Sequence, residues 1–148
     1  VLNRGVSGTK TIDLINYKDR LISPYHPKQI FVYEGDNDIG YQWTPDEILE
    51  QIKRLFFILR KEKPEAEIIF ISIKPSVRRL KDKERIEQTN ALIKEFVEQQ
   101  MNTAYADVYN PMFTPKGELF PEHYREDGLH LTTEGYAVWK EVISKYIK

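Results

Sequence analysis

Residues 29–59 read QIFVYEGDNDIGYQWTPDEILEQIKRLFFIL, a short apolar run followed by a longer segment of helical period. The apolar run Ile30–Tyr33 is bounded by Gly35, so it predicts a strand over Gln29–Glu34. Thr44 then stands where an N-cap is expected, followed by a proline and by a glutamate that completes a capping box, so a helix begins here. The side chains expected to face the core from this helix are Ile48, Ile52, Leu55, Phe56 and Leu59.

The same alternation of short apolar runs and helical segments extends in both directions. Three further strands are predicted, over Val1–Val6, Glu67–Ile73 and Ala104–Tyr109. Three further helices are predicted, over Thr11–Lys18, over Asp82–Gln100 and from Thr133 onward. The core positions expected in the last helix are Tyr136, Trp139, Ile143 and Tyr146. Because the strand segments are continuously apolar, we expect helices on both faces of a mostly parallel sheet. The predicted fold class is α/β, a single three-layer α/β/α, flavodoxin-like domain over residues 1–148.

Composition limits the classes of function. The chain has 148 residues, 41% of them hydrophobic, which suffices for one core. Its 22 basic and 23 acidic residues are mixed along the sequence and leave a net charge of -1, so no nucleic-acid partner is expected. No apolar run approaches the roughly 20 residues of a membrane-spanning helix, so the chain is expected to be soluble. The absence of cysteine excludes disulfides and thiol catalysis, and it leaves the compartment open, cytoplasmic or exported. The oligomeric state is open as well.

Three polar segments are expected at the edge of the sheet where parallel strands bind ligands. They are Asn3–Gly8, Gly35–Asp38 and Asp127–His130. Each alone has an ordinary interpretation as a turn or a hydrogen-bonded loop. The last segment also suggests chemistry, because an aspartate can hold one ring nitrogen of a nearby histidine while the other nitrogen takes a proton from a nucleophile. This pair is the acid-base half of a nucleophilic hydrolase.

In this order, the three segments resemble the later sequence blocks of the SGNH hydrolases, also called the GDSL esterase/lipase family. Gly8, Asn37, Asp127 and His130 match positions that define those blocks. The resemblance implies a catalytic pair of Asp127 and His130, and an oxyanion hole formed by the Gly8 backbone N–H and the Asn37 side-chain amide. It also implies hydrolysis of a small-molecule ester, such as an acylated sugar or a lipid-like ester, with no metal or other cofactor. The residues expected to support these loops without entering the reaction are Arg4, Asp36 and Asp38.

The resemblance lacks one block, because the Gly-Asp-Ser segment that carries the family's nucleophile does not occur in this chain. The serines present are Ser7, Ser23, Ser72, Ser76 and Ser144. Only Ser7 lies near the expected site, and it lacks the family context. The nucleophile is therefore expected upstream of Val1, in a segment that in the family also forms the first strand, inside the sheet between the equivalents of Val1–Val6 and Gln29–Glu34. We expect the natural polypeptide to extend N-terminally and the chain as given to lack serine-esterase activity.

Two other interpretations stay open. A metal-dependent phosphoesterase could use Asp36, Asp38, Asp127 and His130 as ligands. A flavodoxin-like domain, or an SGNH fold without its nucleophile, could instead bind a ligand and catalyse nothing. Sensitivity to EDTA would distinguish the first of these from a serine esterase, and the upstream sequence would distinguish the second.

Overall fold

A three-stranded parallel sheet forms the centre of the computed structural model, which describes residues 1–148. Its strands are β1 (Gln29–Val32), β2 (Glu67–Ile71) and β3 (Thr103–Ala106), hydrogen-bonded in the order β1-β2-β3. The register places Val32 beside Phe70, and Phe70 beside Tyr105. Because all three strands run in the same direction, their carboxyl ends meet at one edge of the sheet.

Helices follow each strand and precede the first. They are α1 (Thr11–Leu21), α2 (Asp36–Gly40), α3 (Pro45–Glu62), α4 (Lys83–Glu98) and α5 (Thr133–Ser144). Short 3-10 segments occur at Val77–Asp82, Asn110–Met112 and Pro121–His123. The predicted start of α3 is confirmed, since Thr44 Oγ1 accepts from the Glu47 N–H at 3.3 Å and the Glu47 carboxylate accepts from the Thr44 N–H at 2.8 Å. No helix combines the length and the apolar character that crossing a membrane would require.

The helices cover both faces of the sheet. Side chains of β2 alternate between the faces, so Ile68 and Phe70 join one apolar cluster while Ile69 and Ile71 join another. The first cluster is completed by α1, α3 and α4, and the second by α5. The predicted core positions of α3 are all at most 4% exposed: Ile48, Ile52, Leu55, Phe56 and Leu59. The three-layer α/β/α prediction is therefore confirmed.

The predicted strand over Val1–Val6 is wrong. These residues pair with no strand, and Val1, Leu2 and Val6 are each more than half exposed. A strand needs a hydrogen-bonding neighbour, and the sheet ends at β1 without a strand paired to it on that side. Apolar composition alone was not sufficient to form the element.

The core assignment of Tyr136 is also wrong, because this side chain is 53% exposed. Trp139, Ile143 and Tyr146 pack over the sheet as predicted. The first turn of α5 instead lies beside the loop that precedes it, and Tyr136 points outward there with its ring 6.1 Å from that of Trp139.

The strands are shorter than predicted, and after β2 and β3 side chains replace strand-to-strand hydrogen bonds. After β2, Ser72 Oγ accepts from the backbone N–H groups of Val108 and Tyr109 at 2.9 and 3.0 Å. Asn90 likewise bonds both backbone groups of Ile73, at 2.9 and 2.8 Å. These contacts fix the loops that carry the polar segments.

Candidate active site

The loop Asp127–His130 holds the acid and the imidazole together. Oδ1 of Asp127 accepts from the backbone N–H groups of Leu129 and His130, both at 2.9 Å, and Oδ2 lies 2.5 Å from Nδ1 of His130. Gly128 adopts a φ of 63°, in the left-handed region that glycine occupies without strain, which lets the loop turn back on Asp127. Nε2 of His130 forms no hydrogen bond within the protein, so it is available to a nucleophile.

The electrostatics of this pair favour an ionised aspartate. The hydrogen bond from His130, followed by those from the two backbone N–H groups, holds the pKa of Asp127 well below its ordinary value of 3.8. Side chains of Asp127 and His130 are 37% and 60% exposed, so the pair is open to substrate-sized molecules from solvent. A carboxylate that stays charged can stabilise an imidazolium formed during a reaction.

Neighbouring elements fix the position of the loop. The backbone N–H of Arg125 donates to the carbonyl of His130 at 2.8 Å, and Tyr124 pairs with Leu131 in an antiparallel bridge. Thr132 caps α5 by accepting from the Gly135 N–H at 3.3 Å. A side chain at Gly135 would collide with the carbonyl of His123, so α5 can approach the loop closely only with glycine here.

The predicted oxyanion residues lie beside one another. Asn37 is in the first turn of α2, which begins after Gly35 turns the chain at a φ of 105°. Its side-chain Nδ2 donates to the carbonyl of Thr9 at 2.7 Å. Thr9 directly follows Gly8, which is exposed and has a φ of 79°. Because an asparagine amide has two N–H donors, the contact with Thr9 orients Asn37 and leaves its second N–H free.

A buried acidic layer supports this part of the site. Glu34 Oε1 accepts from the Thr9 hydroxyl at 2.9 Å, and Asp38 Oδ2 accepts from the N–H and hydroxyl of Thr11 at 3.2 and 3.3 Å. Burial is the main cause that raises the pKa of Glu34 to about 8, and burial also raises the pKa of Asp38. Both side chains therefore hold the segment after Gly8 in place. At neutral pH, Glu34 does so largely as a neutral acid.

Sequence reasoning missed two residues of the candidate site, Lys74 and Arg79, which pair with Asp36. Lys74 Nζ and Arg79 Nε each lie 2.7 Å from a carboxylate oxygen of Asp36, and all three side chains are at most 14% exposed. Burial alone would raise the pKa of Asp36, but the two cations outweigh it and hold that pKa below its ordinary value. A polar residue directly after the predicted strand Glu67–Ile73 was a signal for Lys74, whereas no local pattern marks Arg79.

The structure joins the predicted residues in two pairs. Asp127 contacts His130, and Asn37 contacts the residue after Gly8, while no hydrogen bond links one pair to the other. None of the chain's five serines is bonded to His130. The ligands considered for a metal do not converge either, since Asp36 is occupied by two cations and Asp38 by Thr11, and no group of three His, Cys, Asp or Glu side chains is arranged around a common point.

Comparisons with known proteins place this arrangement in a family. Residues 1–138 match the model described as the GDSL-like Lipase/Acylhydrolase family. A Streptococcus pneumonia protein provisionally assigned as a platelet activating factor is 26% identical, with a TM-score of 0.88 over 98% of this chain and 71% of that chain. A carbohydrate esterase family 3 structure from Talaromyces cellulolyticus is 21% identical, with a TM-score of 0.82 over 96% of this chain and 68% of that chain.

One curated relative is much longer than this chain. An N-acylneuraminate cytidylyltransferase from Escherichia coli O18:K1:H7 is 23% identical in an alignment of 153 residues that covers 100% of this chain. The chain spans 35% of the length of that protein. The resemblance to the SGNH hydrolases in sequence and in fold is confirmed, and the match over residues 1–138 shows that the chain belongs to the GDSL-like lipase/acylhydrolase family.

Proposed function

We propose that residues 1–148 are one SGNH-type domain that hydrolyses small-molecule esters with a nucleophilic serine supplied from outside these residues. The observation that carries the proposal is the 2.5 Å contact between Nδ1 of His130 and Oδ2 of Asp127, with Nε2 unbonded. This contact holds the imidazole in the state in which Nε2 can accept a proton. Membership in a family of lipases and acylhydrolases supports the same reaction class.

The proposed chemistry uses four residues of the chain. The serine Oγ bonds to the ester carbonyl carbon while its proton moves to Nε2 of His130 and the carbonyl electron pair moves onto oxygen. Collapse re-forms the carbonyl and breaks the bond to the alcohol, which takes the proton back from His130. Water then repeats both steps on the acyl-enzyme and releases the acid. Asp127 stays ionised throughout and stabilises the imidazolium.

The oxyanion would be stabilised by the Gly8 N–H and the free N–H of Asn37. In the structure one Asn37 donor is already committed to the carbonyl of Thr9, so this side chain is oriented before substrate binds. Donors fixed in advance need no reorganisation during the reaction, and losing one costs about 100- to 1000-fold in rate. We therefore expect Asn37→Ala to retain binding and to lose turnover.

Short acyl esters are the substrate class that we propose to test first. The similarity in fold to a carbohydrate esterase supports including acetylated sugars among them. A small acyl group also suits a catalytic pair that is open to solvent rather than enclosed in a deep apolar pocket.

The experiment begins with sequencing the gene upstream of residue 1 and expressing the complete product. Hydrolysis of p-nitrophenyl acetate is then measured with and without a serine-directed phosphonate. We expect an upstream Gly-Asp-Ser segment, turnover that the phosphonate abolishes, and a loss of at least about 100-fold in His130→Ala. His26→Ala is the matched control, because His26 is exposed and precedes β1 at the opposite edge of the sheet.

Two results would refute the proposal in favour of the other interpretations. Turnover that EDTA abolishes and the phosphonate spares would indicate a metal-dependent esterase or phosphoesterase. An upstream sequence without a nucleophilic serine, together with no turnover, would indicate a binding protein of the same fold.

A further inference from the structure

Arg79 contacts both ends of α2, the short helix that carries Asn37. Its Nε donates to Oδ1 of Asp36, the residue before Asn37, at 2.7 Å. Its guanidinium also lies against Gly40 at the other end of α2, so closely that a Cβ at Gly40 would collide with it. Lys74 Nζ donates to Oδ2 of Asp36 at 2.7 Å. One arginine and one lysine thus hold both ends of a five-residue helix.

The same stretch of chain also holds the catalytic loop. We call residues Lys74–Arg79 the bridging segment. The backbone N–H of Arg78 donates to the carbonyl of Gly128 at 2.9 Å, and Gly128 is close enough to Val77 that an added Cβ would lie 3.2 Å from the Val77 Cβ. The buried Tyr124 hydroxyl donates to the carbonyl of Pro75 at 3.0 Å. The bridging segment therefore contacts the Asp127–His130 loop through Val77 and Arg78, and it contacts Tyr124, just before that loop, through Pro75.

No hydrogen bond joins α2 directly to the Asp127–His130 loop, so their relative position depends on the bridging segment. A helix of five residues has too few internal hydrogen bonds to be stable by itself. The backbone of Arg79 interrupts its own 3-10 segment, with φ -109° and ψ 20°, where its side chain reaches α2. A displacement of Arg79 would move Asn37 relative to His130.

We propose that Arg79 is a positioning residue that, through Asp36 and the bridging segment, sets the distance between the Asn37 amide and the His130 imidazole. Its effect on catalysis rests on the proposed function, whereas its effect on the geometry does not. Arg79 touches no reacting atom in this account. It acts because two elements that must act on the same ester group are attached to one stretch of chain.

The test uses the complete gene product and compares Arg79→Lys with Arg60→Lys. Lysine keeps the charge, but it has no planar guanidinium that can bond Asp36 and lie flat against Gly40 at the same time. Arg60 is the matched control, because it donates to the carbonyls of Pro64, Ala66, Met101 and Asn102, at the opposite edge of the sheet. Both variants remove contacts of a partly buried arginine, so a general loss of stability is expected in both.

Two quantities are measured on each variant. The first is hydrogen exchange in peptides covering residues 125–131 and 36–40, which we expect to be at least about tenfold faster in Arg79→Lys and unchanged in Arg60→Lys. The second is p-nitrophenyl acetate hydrolysis, for which we expect kcat to fall about 10- to 100-fold in Arg79→Lys with little change in KM. A purely structural role would change exchange throughout the protein and would not separate kcat from KM.

Unchanged exchange in residues 36–40 of Arg79→Lys overturns the inference, whether or not the wild type is an esterase. Equal changes in Arg60→Lys overturn it as well. A wild type without turnover would refute the proposed function and leave the exchange comparison to decide this inference alone. If Arg79→Lys does not fold, Gly40→Ala replaces it: this variant keeps every charge, its Cβ displaces the guanidinium, and we expect the same changes at smaller size.

Discussion

Replacing Glu34 with glutamine is expected to remove most of the decline in stability between weakly acidic and weakly alkaline pH. Glu34 is 6% exposed, two residues after β1 ends, and its Oε1 accepts from the Thr9 hydroxyl at 2.9 Å. Glutamine has the same shape and keeps this carbonyl acceptor, but it never ionises. The substitution therefore removes a charge without opening a cavity.

The magnitude follows from the raised pKa of this side chain. Burial raises the pKa of Glu34 from 4.5 to about 8, so the folded protein holds a proton that the unfolded chain loses in this pH range. Stability is then undiminished below pH 4.5, falls as pH rises toward 8, and is fully reduced above it. At about 1.4 kcal/mol per pH unit, the loss is on the order of 5 kcal/mol.

The free energy of unfolding should be measured by urea titration from pH 4.5 to pH 9 for wild type, Glu34→Gln and Glu50→Gln. We expect Glu34→Gln to match the wild type at the acidic end and to exceed it by several kcal/mol at the alkaline end. Glu50 is an exposed carboxylate paired with Lys53, so its substitution should leave the wild-type slope unchanged. Parallel curves for wild type and Glu34→Gln would refute the argument that Glu34 is buried as a neutral acid.

Three further outcomes are expected. Thr44→Ala, which removes the N-cap of α3, should lower the free energy of unfolding by about 1 kcal/mol. Thr133→Ala, which changes the first helical residue of α5 and leaves its N-cap Thr132 in place, should lower it less, and equal losses would contradict the capping role of Thr44. Ile52→Ala, at a fully buried position, should cost about 2–5 kcal/mol, and a cost near zero would contradict the packing of α3. Because the pKa of Asp127 lies well below 3.8, the hydrogen-bonded amide signal of His130 should persist in NMR spectra as pH falls through 3.8, and its loss near that pH would show an ordinary carboxyl.

The sequence was sufficient to predict the layers of the fold. The apolar run at Ile30–Tyr33 and the capping box at Thr44 each specify an element through interactions within a few residues of the chain. The Asp127–His130 contact was predictable for the same reason, since all of its hydrogen bonds lie within three residues. Sequence could not show that Val1–Val6 forms no strand, because strand formation depends on a neighbour that local composition does not specify.

The arrangement of the site was determined by contacts between residues distant in sequence. Asn37 meets the carbonyl of Thr9 across 28 positions, and Arg79 meets Asp36 across 43. By itself the sequence determined which side chains can perform acid-base and hydrogen-bonding chemistry, and on which local elements they lie. Only the tertiary structure determined that Lys74 and Arg79 pair with the Asp36 carboxylate and that one segment contacts both parts of the candidate site, because burial and charge pairing arise when the strands and loops pack together.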